Sequence, residues 1–544
     1  MKKVLYLVPL LLLVQSLSAQ LMKNKEHFTR KDSLQGGLRF ERNCYDVQRY
    51  DLNVTLNIDK KFISGYNDIS FKVVAATKKI QVDLFENMQI DSLVFDHKKL
   101  LYKRDNNAVF IDFPVDLMIN SNHILRFYYS GNTPIAKHAP WDGGFVYTQD
   151  AQGKPWVGVA CQGTGASMWY PVKDSQSDEP DQGATIRVAV PNGLMDVSNG
   201  RLIGSQDLKN GYTRWDWEVK NPINTYDITI NVADYAHIHD NYQGLDLDYY
   251  VLKENEAKAR EHFEEVKPMM QCFQSKFGAY PFAEDGYKLV ETPYLGMEHQ
   301  SAVAYGNKYK KGYQGFDLSM TGVGLLFDYI TIHESGHEWF GNSITSKDIA
   351  DMWIHEGFTQ YTEIVFIECQ FGYDKAMKYA KGLQRNVAND QPIIGPYGVN
   401  KEGSGDMYPK GALLLNTLRH VINDDAKWWA MILKYSETFR HKIIDTETVI
   451  RFFNQESGRD LTPIFNQYLR YTTIPGFEMK IEKGKLAYKW KAEEKDFNMP
   501  LEVTIADKSI RLMPTTEWQQ SKIKINTLDE VQIANTKFYV KTIN

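Results

Sequence analysis

Only four of the 544 residues are cysteines: Cys44, Cys161, Cys272 and Cys369. None forms a Cys-x-x-Cys pair, which excludes a thiolate zinc knuckle and a thioredoxin-like redox motif. A chain this long needs no disulfide staples, so mostly free buried thiols are expected, with room for one bridge. Beyond the first twenty residues, no apolar run approaches the ~20 residues that cross a bilayer. Positive charge is not in excess either. Lys and Arg total 63 against 68 Asp and Glu, a net charge of −5, so there is no basic field for nucleic acid. Internal repeats and low-complexity tracts are also missing. What remains is ordinary globular composition, 43% apolar and 24% charged, in a chain too long for one core. Length alone suggests about three or four domains.

The first residues read as a targeting segment. Lys2 and Lys3 form a basic start, residues 4–14 are almost wholly apolar but too short to span a membrane, and residues 16–19 supply small side chains for cleavage after Ala19. No cysteine follows to carry a lipid. The expectation is a chain exported to the periplasm or the medium, with residues 1–19 removed and no transmembrane segment in the mature form.

From Tyr50 the hydrophobic period is two. Leu52, Val54, Leu56 and Ile58 alternate with polar residues, as do Ile69, Phe71 and Val73, then Ile80, Val82 and Leu84, and later Ile186, Val188 and Val190, and Ile228, Ile230 and Val232. Residues 21–44 before this look like an irregular polar lead-in. After Tyr250 the period becomes helical. A helix is expected over residues 253–277, kinked by Pro268 and ended by Gly278. Others are expected over 322–340, through Glu356 to about 370, and near 410–422, 427–439, 447–456 and 463–471, the last with Thr462 as cap and Pro463 as first residue. Period two returns after Pro475-Gly476 with Phe477, Met479 and Ile481, then Leu486, Tyr488 and Trp490. The resulting division is an N-terminal all-β domain to residue 243, a mixed α+β domain over 244–475, and a small C-terminal β-sandwich-like domain over 476–544.

The chemistry concentrates between His333 and Glu356. His333 and His337 are four apart in HESGH, hence neighbours on one helix face, where two imidazoles can share a Zn²⁺. Glu334 between them is the expected general base. Glu356, in WIHEGF, would complete a His₂Glu set with one position left open, as catalytic zinc requires. The plain alternative is a helix with core or surface histidines.

HESGH, WIHEGF and the later MYPKGALLL, together with the opening YDVQRYDLNVTLNI, resemble the gluzincin zinc aminopeptidases typified by aminopeptidase N and leukotriene A hydrolase. The resemblance spans nearly the whole chain after the leader. It implies one Zn²⁺ per chain in a thermolysin-like catalytic domain, and peptide substrates with a free N-terminus. It assigns the substrate's amino group to Glu298, in the LGMEH that stands for the family's G-A-M-E-N, with Gly296 and Met297 on the same edge strand. Leu295 and His299 depart from that pattern. The resemblance gives Gln162, in CQGTGASMWYP, a second contact to the amine, and Tyr408 a hydrogen bond to the tetrahedral oxyanion. It makes Glu363 a candidate to orient a zinc-binding histidine, the alternative being a helix-surface charge. The family's long helical C-terminal domain has no counterpart after residue 475. Two other readings share these residues: a related hydrolase acting on a non-peptide epoxide, or an inactive binding scaffold. The scaffold would require a lost ligand, base or tyrosine, and none is lost.

Overall fold

The computed structural model describes residues 27–543, and the segment read as a signal peptide lies outside them. The lead-in is more regular than its composition suggests. It holds two short helices, Arg30–Gly36 and Phe40–Asn43. Thr29 and Asp32 start the first with a reciprocal capping box, a local device that replaces hydrophobic period in a helix of two turns. Arg42 behind it is fully buried, donating to the Gln35 carbonyl and to the Asp83 carboxylate.

The N-terminal region is built on an eight-stranded sheet. Strand Tyr45–Asn57 lies inside it, antiparallel to Phe62–Val73 and parallel to Ala184–Pro191. Its alternating residues Leu52, Val54 and Leu56 are buried, as period two requires. The strand expected over 228–232 is shorter, Asn231–Ala233. A 3-10 turn, Thr225–Asp227, capped by the Asn224 side chain, occupies the chain just before it.

A five-stranded sheet divides the two large cores. Its order is Tyr235–Tyr242, Leu245–Leu252, Tyr287–Glu291, Val303–Tyr305 and, at the edge, Gly296–Met297. Strand alternation serves both sides. Leu247, Tyr249 and Leu289 face the helical core, whereas Tyr250, Leu252 and Val290 face the N-terminal β core. The first hairpin of this sheet crosses residue 243.

The helix expected over 253–277 is interrupted. Glu256–His262 and Val266–Phe277 are joined by a 3-10 turn, Phe263–Glu265. Pro268 has no N–H for the Glu264 carbonyl and its ring crowds that group, so the irregularity falls one turn before the proline. Gly278 ends the helix at φ 89°. Cys272 on it is bonded to Cys369 on helix Trp353–Phe371, while Cys44 and Cys161 are buried free thiols. Helices Pro409–Ile422, Asp425–Thr438, Thr446–Ser457 and Thr462–Leu469 lie where the periodicity places them. Thr462 does not cap the last one. Its hydroxyl accepts from Asn454, whose own oxygen takes the Leu461 N–H, so the cap moves back to Leu461. Helix Tyr373–Leu383 was not expected.

The C-terminal region is two packed sheets of four and three strands. Its buried Phe477, Trp490 and Leu501 belong to the same core as Leu414 and Phe465 of the helices. Among the described residues no helix is long and apolar enough to cross a membrane.

Candidate active site

The helix that presents the motif is shorter than expected. It runs Tyr329–Gly336, because the Asp328 side chain accepts from Thr331 N–H and fixes the start. Val323–Leu325 form a separate 3-10 turn after Gly322, which is left-handed at φ 83°. Past His337 the backbone widens through a π turn, Glu338–Asn342, in which Phe340 and Gly341 leave helical geometry. That turn brings the Phe340 carbonyl back to His337 Nδ1, 3.0 Å away.

Both imidazoles are thereby oriented. His333 Nδ1 is 2.7 Å from Glu363 Oε1, and Glu363 also accepts from Tyr379 at 2.6 Å. With each Nδ1–H given to an acceptor, each Nε2 keeps its lone pair and turns inward. The two Nε2 atoms lie 3.5 and 3.3 Å from one atom, Glu356 Oε2. That oxygen is buried without a hydrogen-bond partner among the described residues. Three lone-pair donors facing one another in a buried space fit a cation, and two imidazoles with a carboxylate suit Zn²⁺. Glu298, Glu334 and His337 form a second possible grouping. Glu298 Oε1 is already taken by Gln162 and Tyr226, so the first set is the better fit.

Electrostatics agree. Burial disfavours charge on all three donors. The carboxylates of Glu356 and Glu363 nevertheless raise the His333 pKa, those of Glu356 and Glu298 raise His337, and the two histidines hold Glu356 below the usual carboxylate range. A metal ion would replace these protons. Burial pushes Glu334 up to about 7, against the pull of His333 and His337.

Glu363 is fully buried. Glu363→Gln should weaken zinc affinity about 10- to 100-fold, measured by chelator competition, by loosening the hold on His333. Unchanged affinity would remove Glu363 from the site.

The donors open into a cleft of about 480 Å³ that Gln162, Gly296, Met297, Glu298, Glu334 and Tyr408 also line. Gly296 has a steric reason. A Cβ there would stand 2.8 Å from both Glu334 Oε1 and Ile330 Cγ2. Gln162 Nε2 donates to Glu298 Oε1 at 2.5 Å and approaches Glu356 Oε1 at 3.3 Å. Tyr408 stacks on the His333 ring with centroids 5.9 Å apart. Its helix crosses the Glu356 helix at a glycine pair, where a Cβ on Gly411 would meet Gly357 Cα at 2.8 Å. His299 stays out of the cleft. Both its ring nitrogens are buried without hydrogen-bond partners among the described residues, and burial pulls its pKa down to about 3.

The structure gathers His333, Glu334, His337, Glu356, Gln162, Gly296, Met297, Glu298 and Tyr408 in one cleft, with Glu363 behind His333, and adds several supporting residues that the sequence analysis did not name. Tyr226 donates to Glu298 Oε1 at 3.0 Å, Asn342 to the Glu298 carbonyl at 2.7 Å, and Tyr379 to Glu363. Tyr226 and Tyr379 are two of 32 tyrosines and carry no pattern. Asn342, five residues after His337, was within sight of the motif.

Two family models match the chain: the peptidase M1 N-terminal domain over residues 47–226 and the peptidase family M1 domain over 261–468. Human endoplasmic reticulum aminopeptidase 1 is 21% identical over 347 residues, covering 60% of this chain and 36% of that protein. Aminopeptidase N of Streptomyces lividans is 26% identical over 332 residues, covering 56% and 37%. The chain thus spans well under half the length of these relatives. An M1 zinc metallopeptidase from Deinococcus radiodurans has the same fold, with a TM-score of 0.66 at 19% identity, covering 81% of this chain and 95% of that one. With both family models in chain order and a site whose donors converge, the chain belongs to peptidase family M1.

Proposed function

We propose that this chain is a zinc aminopeptidase that removes the first residue from peptides with a free N-terminus. The observation that carries this reading is the Gln162–Glu298 pair, which sits in the same cleft as His333, His337 and Glu356. In our reading those three hold Zn²⁺, which supplies Lewis acidity and lowers the pKa of water toward ~7.

The protein's own groups do the rest. Glu334 takes a proton from the attacking water and passes it to the leaving amine. Tyr408 donates its hydroxyl hydrogen to the oxygen that becomes negative. Burial, with Glu356 and Glu298 nearby, raises the tyrosine's pKa and keeps that proton in place. Glu298 binds the substrate ammonium. Its carboxylate is 2% exposed and burial raises its pKa. A carboxylate so withdrawn from water gains most from a cationic partner, and an N-acetylated substrate offers none. Gln162 and Tyr226 hold its orientation. Peptide extension beyond the amine would run into this group, which is what makes the reading an exopeptidase. Residues 1–19 support export, to the periplasm or the medium.

Glu298→Ala tests the reading. It should raise KM and lower kcat/KM for free-amine aminoacyl amides by about 10- to 100-fold, as expected for loss of a charged hydrogen-bonded partner. Kinetics like wild type would withdraw the main support for exopeptidase action.

A further inference from the structure

The cleft contains four carboxylates. Three have work in the aminopeptidase reading: Glu356 at the metal, Glu334 at the water and Glu298 at the α-amine. Glu402 has none, yet it lines the same cleft. It is half-buried, on the loop that closes against residues 162–164. Its neighbour Asn400 and the backbone of Gly163 fix that placement. Asn400 Nδ2 donates to the Gly163 carbonyl at 3.0 Å, and a Cβ on Gly163 would lie 3.4 Å from Glu402 Oε1. Gly163 follows Gln162, whose amide holds Glu298. Glu402 is therefore beside the amine-binding pair but on the other side of its loop.

Glu356 and Glu298, in the same cleft, act on Glu402 repulsively, and Lys401 beside it in the chain lines the cleft as well. Burial and that repulsion push its pKa up to about 7. A carboxylate in this position gains from a cation that a ligand brings to it. The α-ammonium is already matched to Glu298. A metal ion would be matched to Glu356 and the histidines. At the cleft mouth Trp141 is 68% exposed, an indole face on which a guanidinium can stack.

We propose that Glu402 reads a second positive charge on the substrate: a lysine or arginine side chain on the first residue or on the one after it. The inference rests on the aminopeptidase reading for the direction of the peptide, and binding tests it apart from turnover. The experiment is calorimetric titration of Leu-Leu, Arg-Leu and Leu-Arg amides into the zinc-loaded Glu334→Gln chain, with and without Glu402→Gln. One basic peptide should bind about tenfold tighter than Leu-Leu, the scale of a single charge-assisted hydrogen bond. Which of the two it is identifies the position read. Glu402→Gln should reduce that advantage to less than about threefold. Glu402→Lys, which places a positive charge in the loop, should reverse it in favour of Glu-Leu or Leu-Glu amide.

Equal binding of all three peptides, or an advantage that survives both Glu402 variants, would overturn the proposal and leave the aminopeptidase reading standing. Binding by none of the three would overturn both.

Discussion

Glu334→Gln should fold, hold zinc and lose about 10²–10⁴-fold in kcat, the range for removing a positioned general base. The amide keeps the size and the hydrogen-bonding oxygen of the carboxylate but takes no proton. Glu334 is 8% exposed and lines the cleft together with His333 and His337, so its carboxylate faces the space in which a water beside the metal donors would be held. Burial sets its pKa at about 7 without an ion, and a bound cation would draw it down. On either side the group can accept a proton near neutral pH and release it again. Gly296 adds a steric argument, since its missing Cβ leaves the room that Glu334 Oε1 uses. Zinc content measured beside kcat separates loss of the base from loss of the site. A variant with full zinc and near-normal turnover would show that another group moves the proton.

The second large effect belongs to Tyr408. Tyr408→Phe removes one oxygen from a ring that otherwise remains stacked on His333. It should cost about 10²–10³-fold in kcat with KM little changed, because an oxyanion donor acts on charge that develops only in the transition state. The hydroxyl is suited to donate. Burial and the two carboxylates nearby keep it protonated well past neutral pH, so activity should not fall through tyrosine ionisation on the alkaline side. Undiminished kcat in this variant would remove Tyr408 from the mechanism.

Much of the site was legible because its parts follow helical geometry. A His-Glu-x-x-His run on one helix face and a Glu at the start of the next helix need no tertiary knowledge. The strands were legible wherever one face is buried and the other is not, as in Tyr45–Asn57. Legibility failed where backbone rather than side-chain pattern decides. The motif helix begins at Tyr329 because Asp328 caps it, although apolar residues continue upstream. The π turn after His337 has no periodicity, yet it delivers the Phe340 carbonyl that orients the ring. The partners of Glu298 come from three distant segments, at Gln162, Tyr226 and Asn342, joined only by folding. Composition or spacing could not select Tyr226. Gln162 and Tyr408 were reached through family resemblance. The glycines at 357 and 411 were visible in their motifs, but their reason, a helix crossing too close for a Cβ, belongs to packing.

The most direct test of the central claim is hydrolysis of matched fluorogenic aminoacyl amides, free-amine against N-acetylated, before and after zinc is removed by a chelator and restored. The account predicts cleavage of the free-amine set alone, abolished by the chelator and recovered with Zn²⁺. Equal cleavage of both sets, or cleavage indifferent to the metal, would contradict it.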